Sequence, residues 1–168
     1  MKNPEHNHPI QSTPVTDALD EKKIPYRVFT HPGPIHSLEQ AALERGQRAE
    51  QVVRSIVFRV SEGNFVMVLV AGDRQISWQA LREYLQVKRM SMASPKEILE
   101  HTGYMTGAVS PFGLPGAMRI LVDENVFQEE EISIGSGVRF TTVILRSQAL
   151  KRGLEDIEIG RFISKPQK

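Results

Sequence analysis

The feature that most constrains this chain is the segment at residues 103–113, which carries three glycines and one proline directly after a predicted helix. Glycine accepts backbone conformations that other residues avoid, and proline fixes its own φ angle. Gly103 fits the residue that follows a helix, and Pro111 with the two residues after it fits a turn. Gly107 has neither role. Its place four residues before Pro111 lets backbone N–H groups converge on a carbonyl oxygen, which is what ester hydrolysis requires as negative charge develops there.

The composition excludes several classes of protein. A chain of 168 residues is long enough to bury a single core without covalent cross-links. It contains no cysteine, which excludes disulfide bonds, thiolate zinc sites and cysteine nucleophiles. With 21 basic and 20 acidic residues, the near balance of charge argues against a protein that grips a nucleic-acid duplex through many phosphates.

No segment predicts membrane insertion or secretion. The longest apolar run, residues 65–71, is far too short to span a bilayer. Residues 1–13 are polar and hold no apolar segment, so they do not form a secretory signal. We therefore expect a cytoplasmic protein with no membrane partner.

The spacing of apolar residues predicts a mixture of helices and strands. Helix starts are marked by Pro14, by the capping sequences Ser37-x-x-Gln40 and Ser94-x-x-Glu97, and by Ser77 and Ser147. The predicted strands cover residues 26–30, 52–60, 65–71, 118–122, 131–134, 138–145 and 157–163. Because strands outnumber helices and arrive partly as hairpins, we expect an α+β fold: a mixed, mainly antiparallel sheet or partly closed barrel, flanked by helices. A single domain is predicted over residues 13–163, with flexible tails at 1–12 and 164–168.

Arg54 lies on the more apolar face of a predicted strand. Alternation along residues 52–60 places Arg54 beside Ile56 and Phe58 on one face and Ser55 on the other. A guanidinium in that position has to be paired, reach an edge, or bind an anionic ligand, because an unpaired buried charge is strongly unfavourable. The pattern leaves structural pairing and ligand binding equally open.

Three further features each have a structural and a functional interpretation. Gly135-Ser136-Gly137 fits a hairpin turn better than a phosphate-binding loop, because no Gly-Lys-Ser/Thr follows it. Asp123 follows a strand and could supply a base, but a carboxylate at a helix start is the favoured interpretation. His31 is the one histidine that we place near a site, and a hydrogen-bonded turn residue is its favoured alternative. The histidines lack the spacing of a metal set, so no metal site is expected.

The order of these motifs resembles the YbaK-type, prolyl-tRNA-synthetase-associated editing domains, which are trans-acting aminoacyl-tRNA deacylases. The similarity runs from about residue 19 to residue 162. It is carried in turn by Tyr26-x-x-Phe29 with His31-Pro32, Ser37-Leu38-Glu39-Gln40-Ala41-Ala42, the strand from Gln51 to Phe58, Met92-Ala93-Ser94-Pro95, Thr102-Gly103-Tyr104-x-x-Gly107-x-x-Ser110-Pro111-Phe112-Gly113, Val122-Asp123-Glu124 and the Gly135 region. The resemblance implies hydrolysis of the ester between a wrong, usually small, amino acid and tRNA, with no covalent nucleophile and no cofactor.

The resemblance also implies the residues of the site and its partners. The implied catalytic residues are Arg54, Gly107, Ser110 and Pro111. The implied substrate-binding residues are His31, Tyr104, Ala108, Asp123, Gly135, Ser136 and Gly137. The expected partner is the 3′ end of aminoacyl-tRNA, with an aminoacyl-tRNA synthetase as a second candidate.

Arg54 occupies the position at which this family usually carries a functional lysine. Arginine keeps the positive charge, but it is bulkier and planar, and it cannot act as a base. An alternative function therefore stays open, in which the chain is a noncatalytic module that binds tRNA ends, nucleotides or a synthetase.

Overall fold

A computed structural model describes residues 12–165 of the chain. The helices in that range are α1 (Pro14–Glu21), α2 (Leu38–Glu44), α3 (Trp78–Leu85), α4 (Pro95–Thr102) and α5 (Gln148–Gly153). The strands are β1 (Arg27–Thr30), β2 (Val53–Ser61), β3 (Asn64–Ala71), β4 (Ser91–Met92), β5 (Arg119–Asp123), β6 (Glu131–Gly135), β7 (Thr141–Arg146) and β8 (Glu158–Gly160). Most of the predicted tails at 1–12 and 164–168 lies outside the described residues.

The helix starts follow local capping chemistry. The Ser94 hydroxyl accepts a hydrogen bond from the Glu97 N–H at 3.2 Å, and the Glu97 carboxylate accepts one from the Ser94 N–H at 3.0 Å. This reciprocal pair confirms the predicted capping box of α4. Gly103 ends the helix at φ +78°, in the left-handed conformation that glycine adopts without strain.

The strands form two sheets. The smaller sheet has the order β1-β7-β6 and is antiparallel throughout. The larger sheet has the order β4-β2-β3-β5-β8, and its β3–β5 and β5–β8 pairs are parallel. The expectation of a mixed, mainly antiparallel α+β fold is therefore confirmed, and the two sheets do not close into a barrel.

The two faces of the larger sheet cover different cores. One face packs against the smaller sheet, and the main core between them includes Val57, Leu69 and Ile134. The other face packs under α3 around Phe58. The β2–β3 register pairs Arg54 with Val70 of the second core, and Ser55 with Leu69 of the main core. The alternation predicted for residues 52–60 is therefore confirmed.

None of the helices in residues 12–165 is long and apolar enough to cross a membrane. The same residues contain no group of three or more His, Asp or Glu side chains placed to hold a metal ion.

Candidate functional site

A cavity of about 400 Å³ lies between the two sheets, along the edge of β2. Its wall includes part of β2, the end of β6, the start of β7 and the loop after α4, which contains Gly107. Strand β4 pairs with β2 at Phe58 and Arg59, and the Ala93 N–H donates to the Val57 carbonyl, so residues 53–56 of β2 present an open edge. A concave, largely apolar cavity with a few converging polar groups is the usual form of a small-ligand site.

The backbone of Ser55 points toward this open edge. The Val52 carbonyl accepts from the Gly72 N–H at 2.8 Å on the β3 side, whereas the Val57 carbonyl accepts from the Ala93 N–H at 3.0 Å on the opposite side. Peptide groups alternate in direction along a strand, so Ser55 shares the direction of Val57. Its N–H and C=O are therefore presented to the cavity.

The side chain of Ser55 adds a polar group with no partner. Its Oγ is buried, and none of the described residues forms a hydrogen bond with it. Ser55 also lines the cavity. Because buried polar groups in folded proteins almost always have a hydrogen-bond partner, this hydroxyl is a candidate to bond an ordered water or a polar ligand group.

Arg45 provides a buried positive charge in the cavity wall. The residue is 9% exposed, and its burial lowers the pKa of the guanidinium. Its Nε donates to Gln47 Oε1 at 3.3 Å, its Nη1 donates to His31 Nε2 at 3.0 Å, and its Nη2 donates to Ser133 Oγ at 3.0 Å. These bonds fix the guanidinium between α2 and β6, and the group remains charged because arginine does not lose its proton in proteins.

His31 connects this arginine to a carboxylate. Because Nε2 of His31 accepts from Arg45, the neutral ring carries its proton on Nδ1, which donates to Glu44. The hydrogen bond from His31 is the largest cause of a lowered pKa for Glu44, and a bond from Gln40 adds to it. Glu44 thus balances the charge of Arg45 through the imidazole. His31 lies at the cavity as predicted, and it is also hydrogen-bonded, as its structural interpretation requires.

Arg54 also lines the cavity, but its side chain lies on the opposite face of β2, with the second core, and backbone carbonyls beyond the end of β3 hold its guanidinium. Its Nε donates to the Gly72 carbonyl at 2.8 Å, and its Nη2 donates to the Arg74 carbonyl. Burial is the largest cause of its lowered pKa, partly opposed by the charge of Asp73. Two of the five N–H groups of Arg54 therefore have protein partners within the described structure.

The glycine-rich loop reaches the cavity at Gly107. This residue has φ +89°, and a Cβ built on it would meet no atom within 4 Å. A Cβ on Gly135, at the end of β6, would lie 2.0 Å from the carbonyl oxygen of Val109. The Gly137 N–H donates to the Ala108 carbonyl at 3.0 Å. Glycine at 135 thus permits the close approach that seats the loop, and glycine at 107 keeps the backbone bare on the cavity side.

Several residues predicted for the site shape this loop from inside the protein. Tyr104, Ala108, Ser110 and Pro111 are buried and do not line the cavity. The Tyr104 hydroxyl donates to the Phe112 carbonyl at 2.6 Å, and the Ser110 hydroxyl accepts from the Phe112 N–H at 3.2 Å. Ser110 and Pro111 were expected to be catalytic, and Tyr104 and Ala108 to bind substrate. In this structure the hydrogen bonds of Tyr104 and Ser110 hold the loop in shape.

Asp123 and Ser136 are likewise structural in this geometry. The Asp123 oxygens accept from the N–H groups of Asn125 at 2.9 Å and Phe162 at 2.7 Å, and the residue borders a separate polar cavity. The carboxylate therefore caps a short 3₁₀ turn, and it does not line the cavity that contains Gly107. Ser136 is buried, and its hydroxyl accepts from the Val138 N–H at 3.1 Å within the β6–β7 loop.

Some residues of the cavity wall were not predicted from the sequence, namely Arg45, Ser55, Thr106, Ser133, Phe140 and Thr142. The sequence could have indicated Ser55 as a site residue, because it is a small polar residue inside an apolar strand. It gave no such indication for Arg45, because a charged residue at a helix end is normally solvated.

Comparisons with known proteins agree on one family. A family model described as an aminoacyl-tRNA editing domain matches residues 32–152. A protein of Escherichia coli K12 named multifunctional Ser/Thr-tRNA deacylase ProXp-y is 29% identical over 134 residues, which cover 77% of this chain and 79% of that protein. A proline–tRNA ligase of Thermosipho melanesiensis is 30% identical over 116 residues, which cover 69% of this chain. The match spans about a fifth of the length of that ligase.

One solved structure has a similar fold. It is described as a candidate trans-editing enzyme for prolyl tRNA synthetase, and it superposes with a TM-score of 0.81. The alignment covers 90% of this chain and 96% of that one, at 22% sequence identity. At this identity the likeness establishes the shared fold.

Proposed function

Because this chain belongs to the aminoacyl-tRNA editing domain family, we propose that it hydrolyses the ester between a wrong, small amino acid and tRNA. One observation carries the proposal: Gly107 presents bare backbone at positive φ to a cavity that also holds the unpartnered hydroxyl of Ser55. Family membership supplies the reaction, and these two groups supply polar contacts for an aminoacyl ester.

The Gly107 loop is assigned to the ester carbonyl. Hydrolysis converts this carbonyl into a tetrahedral centre whose oxygen carries negative charge, and backbone N–H donors held in place stabilise that charge. A side chain at residue 107 would occupy the space that the carbonyl needs. The described cavity has no cysteine, and its serines are held in strands rather than in a nucleophile elbow, so water or the ribose hydroxyl is the attacking group.

Ser55 is assigned to the amino acid. Its backbone carbonyl and its Oγ can both accept a hydrogen bond, and Ser55 lines the cavity, so these acceptors suit the α-ammonium group of an aminoacyl ester. The neighbouring wall is apolar, with Val53, Ile134 and Val109 close by. Such a wall selects by size, and each methylene beyond the available space costs about 1–3 kcal/mol.

The two arginines of the cavity wall are assigned different tasks. Three of the five N–H groups of Arg45 donate to Gln47, His31 and Ser133, so Arg45 sets the position of β6 and the local positive potential. Arg54 retains three N–H groups beyond its two carbonyl bonds, and we assign these to the anionic 3′ end of the RNA. The expected partner is therefore the aminoacyl-tRNA end, alone or beside a synthetase, in the cytoplasm where tRNA is charged.

The deciding experiment measures deacylation of alanyl-, cysteinyl-, seryl-, threonyl- and prolyl-tRNA by the wild type and by variants of Arg54. Arg54→Ala is expected to lose most activity, and Arg54→Lys to retain it. Arg59→Ala is the matched control, because Arg59 lies on the same strand, is exposed and pairs with Glu97. Activity on none of the five substrates, together with binding of uncharged tRNA, would support the noncatalytic module instead.

A further inference from the structure

An exposed aromatic residue in a strained backbone conformation lies at the mouth of the cavity. Phe140 has φ +63°. The other non-glycine residues with positive φ in the described structure are Lys23, Gln86 and Asp156, which are polar and lie at helix ends or in a turn. For a bulky residue this conformation is strained. The His31 N–H, which donates to the Phe140 carbonyl at 2.7 Å, helps to hold it.

Burial of the ring offsets little of this strain. Phe140 is 52% exposed, yet it lines the cavity. A glycine would adopt the same backbone without strain, and a polar residue would suit the exposed position better. Strain that persists at an exposed residue beside a cavity is typical of a functional contact.

The neighbouring residue supplies a positive charge. Arg139 is exposed and takes part in none of the ion pairs formed within residues 12–165. An exposed ring beside a free guanidinium is the combination by which proteins bind single-stranded nucleic acid, because the ring stacks on a base and the cation contacts the backbone. An apolar protein partner would gain nothing from the adjacent charge.

We propose that Phe140 stacks on the terminal base of the substrate RNA while Arg139 contacts a neighbouring phosphate. This inference rests on the proposed function. The base and the aminoacyl group are attached to the same ribose, so a base held at the rim leaves the ester directed into the cavity toward Gly107. By stacking on this base, the protein would recognise the RNA whichever amino acid is attached.

The first test measures the Kd of an uncharged single-stranded RNA ending in CCA, by fluorescence anisotropy. Phe140→Ala is expected to weaken binding about 5- to 100-fold, whereas Phe140→Tyr retains it. Phe140→Gly is expected to match Phe140→Ala, and because glycine accepts the backbone angle, its loss of affinity does not come from a distorted loop. Arg139→Gln is expected to reduce the slope of log Kd against log salt by about 0.7.

Ile159→Ala is the matched control, because Ile159 is a comparably exposed apolar residue on β8, at the opposite edge of the larger sheet. It should leave the Kd unchanged. An unchanged Kd in Phe140→Ala would overturn the proposal. A change of oligomeric state in Phe140→Ala, measured by sedimentation, would also overturn it, because the ring would then belong to an interface between copies of the chain.

The second test separates this inference from the proposed function. Hydrolysis of an aminoacyl-tRNA is compared with hydrolysis of the methyl ester of the same amino acid, which has no base. Phe140→Ala is expected to raise the KM for the tRNA about 5- to 100-fold and to leave the methyl ester unaffected. Equal effects on both esters would place the ring against the amino acid and overturn the stacking role. Phe140-dependent RNA binding by a wild type that hydrolyses nothing would support stacking while refuting the deacylase.

Discussion

Gly135→Ala is expected to displace the glycine loop and to impair the site without removing any polar group. The added Cβ would lie 2.0 Å from the Val109 carbonyl oxygen and 2.7 Å from the Val109 carbonyl carbon. An ordinary carbon–oxygen contact is about 3.3 Å, so the loop and the end of β6 have to separate by about 1.3 Å. The obstacle is backbone on both sides, and no side-chain rotation relieves it.

Two magnitudes follow from this displacement. Overpacking of this kind costs about 1–3 kcal/mol of the free energy of unfolding. A displacement of about 1 Å between catalytic groups lowers the rate about 100-fold, and Gly107 is carried by the same loop. We therefore expect Gly135→Ala to lower kcat/KM for an edited aminoacyl-tRNA about 100-fold while the protein still folds.

The measurements are urea unfolding and deacylation kinetics, with Gly116→Ala as the control. A Cβ on Gly116 would meet no atom within 4 Å, and its φ lies outside the left-handed region, so this variant should match the wild type in both assays. Wild-type stability together with wild-type activity in Gly135→Ala would refute the claim that this close approach positions the loop.

The remaining predictions concern the loop and the buried network. Gly107→Ala meets no steric obstacle but forces alanine to φ +89°. We expect this variant to lower kcat about 10²- to 10³-fold and the free energy of unfolding by about 1 kcal/mol. An unchanged kcat would show that the loop has only a structural role. Burial raises the pKa of Tyr104 to about 12. The free energy of unfolding should therefore decline by about 2–3 kcal/mol between pH 10 and pH 12, because the unfolded protein loses the tyrosine proton first. Urea unfolding at successive pH values should show this decline in the wild type and a flatter one in Tyr104→Phe. Arg45→Met should lower the free energy of unfolding by about 2–4 kcal/mol, because it removes the donors to His31 and Ser133. Arg45→Lys should recover part of this loss. Wild-type stability in Arg45→Met would show that these hydrogen bonds are dispensable.

Local sequence patterns predicted the helix ends and strand faces well, because these depend on residues a few positions apart. The capping box at Ser94 can be predicted from residues 94 and 97 alone. The two faces of β2 follow from the alternation of side chains along a strand. The parallel pairing of β3 with β5 had no comparable local signal, since it joins strands about fifty residues apart. The number and order of the predicted strands indicated a mixed sheet, but they did not show which strands pair within it.

The site was predicted less completely, because its contacts form between separate elements. The glycine pattern indicated Gly107, and the family resemblance added Gly135, but neither showed which side of the loop faces the cavity. Tyr104 and Ser110 consequently turned out to support the loop from the core. The connection from Arg45 to His31 depends on how α2 packs near β1, and no spacing in the sequence encodes it.

The two sheets meet at a single described strand-to-strand bridge, between Val52 and Ser133. Apart from this bridge, the sheets are joined by side chains of the main core, such as Leu69 and Leu145. Packed cores respond to changes of side-chain volume, so substitutions in this core are expected to alter the distance between the sheets. The size of ligand that the cavity accepts would then depend on residues that do not contact the ligand.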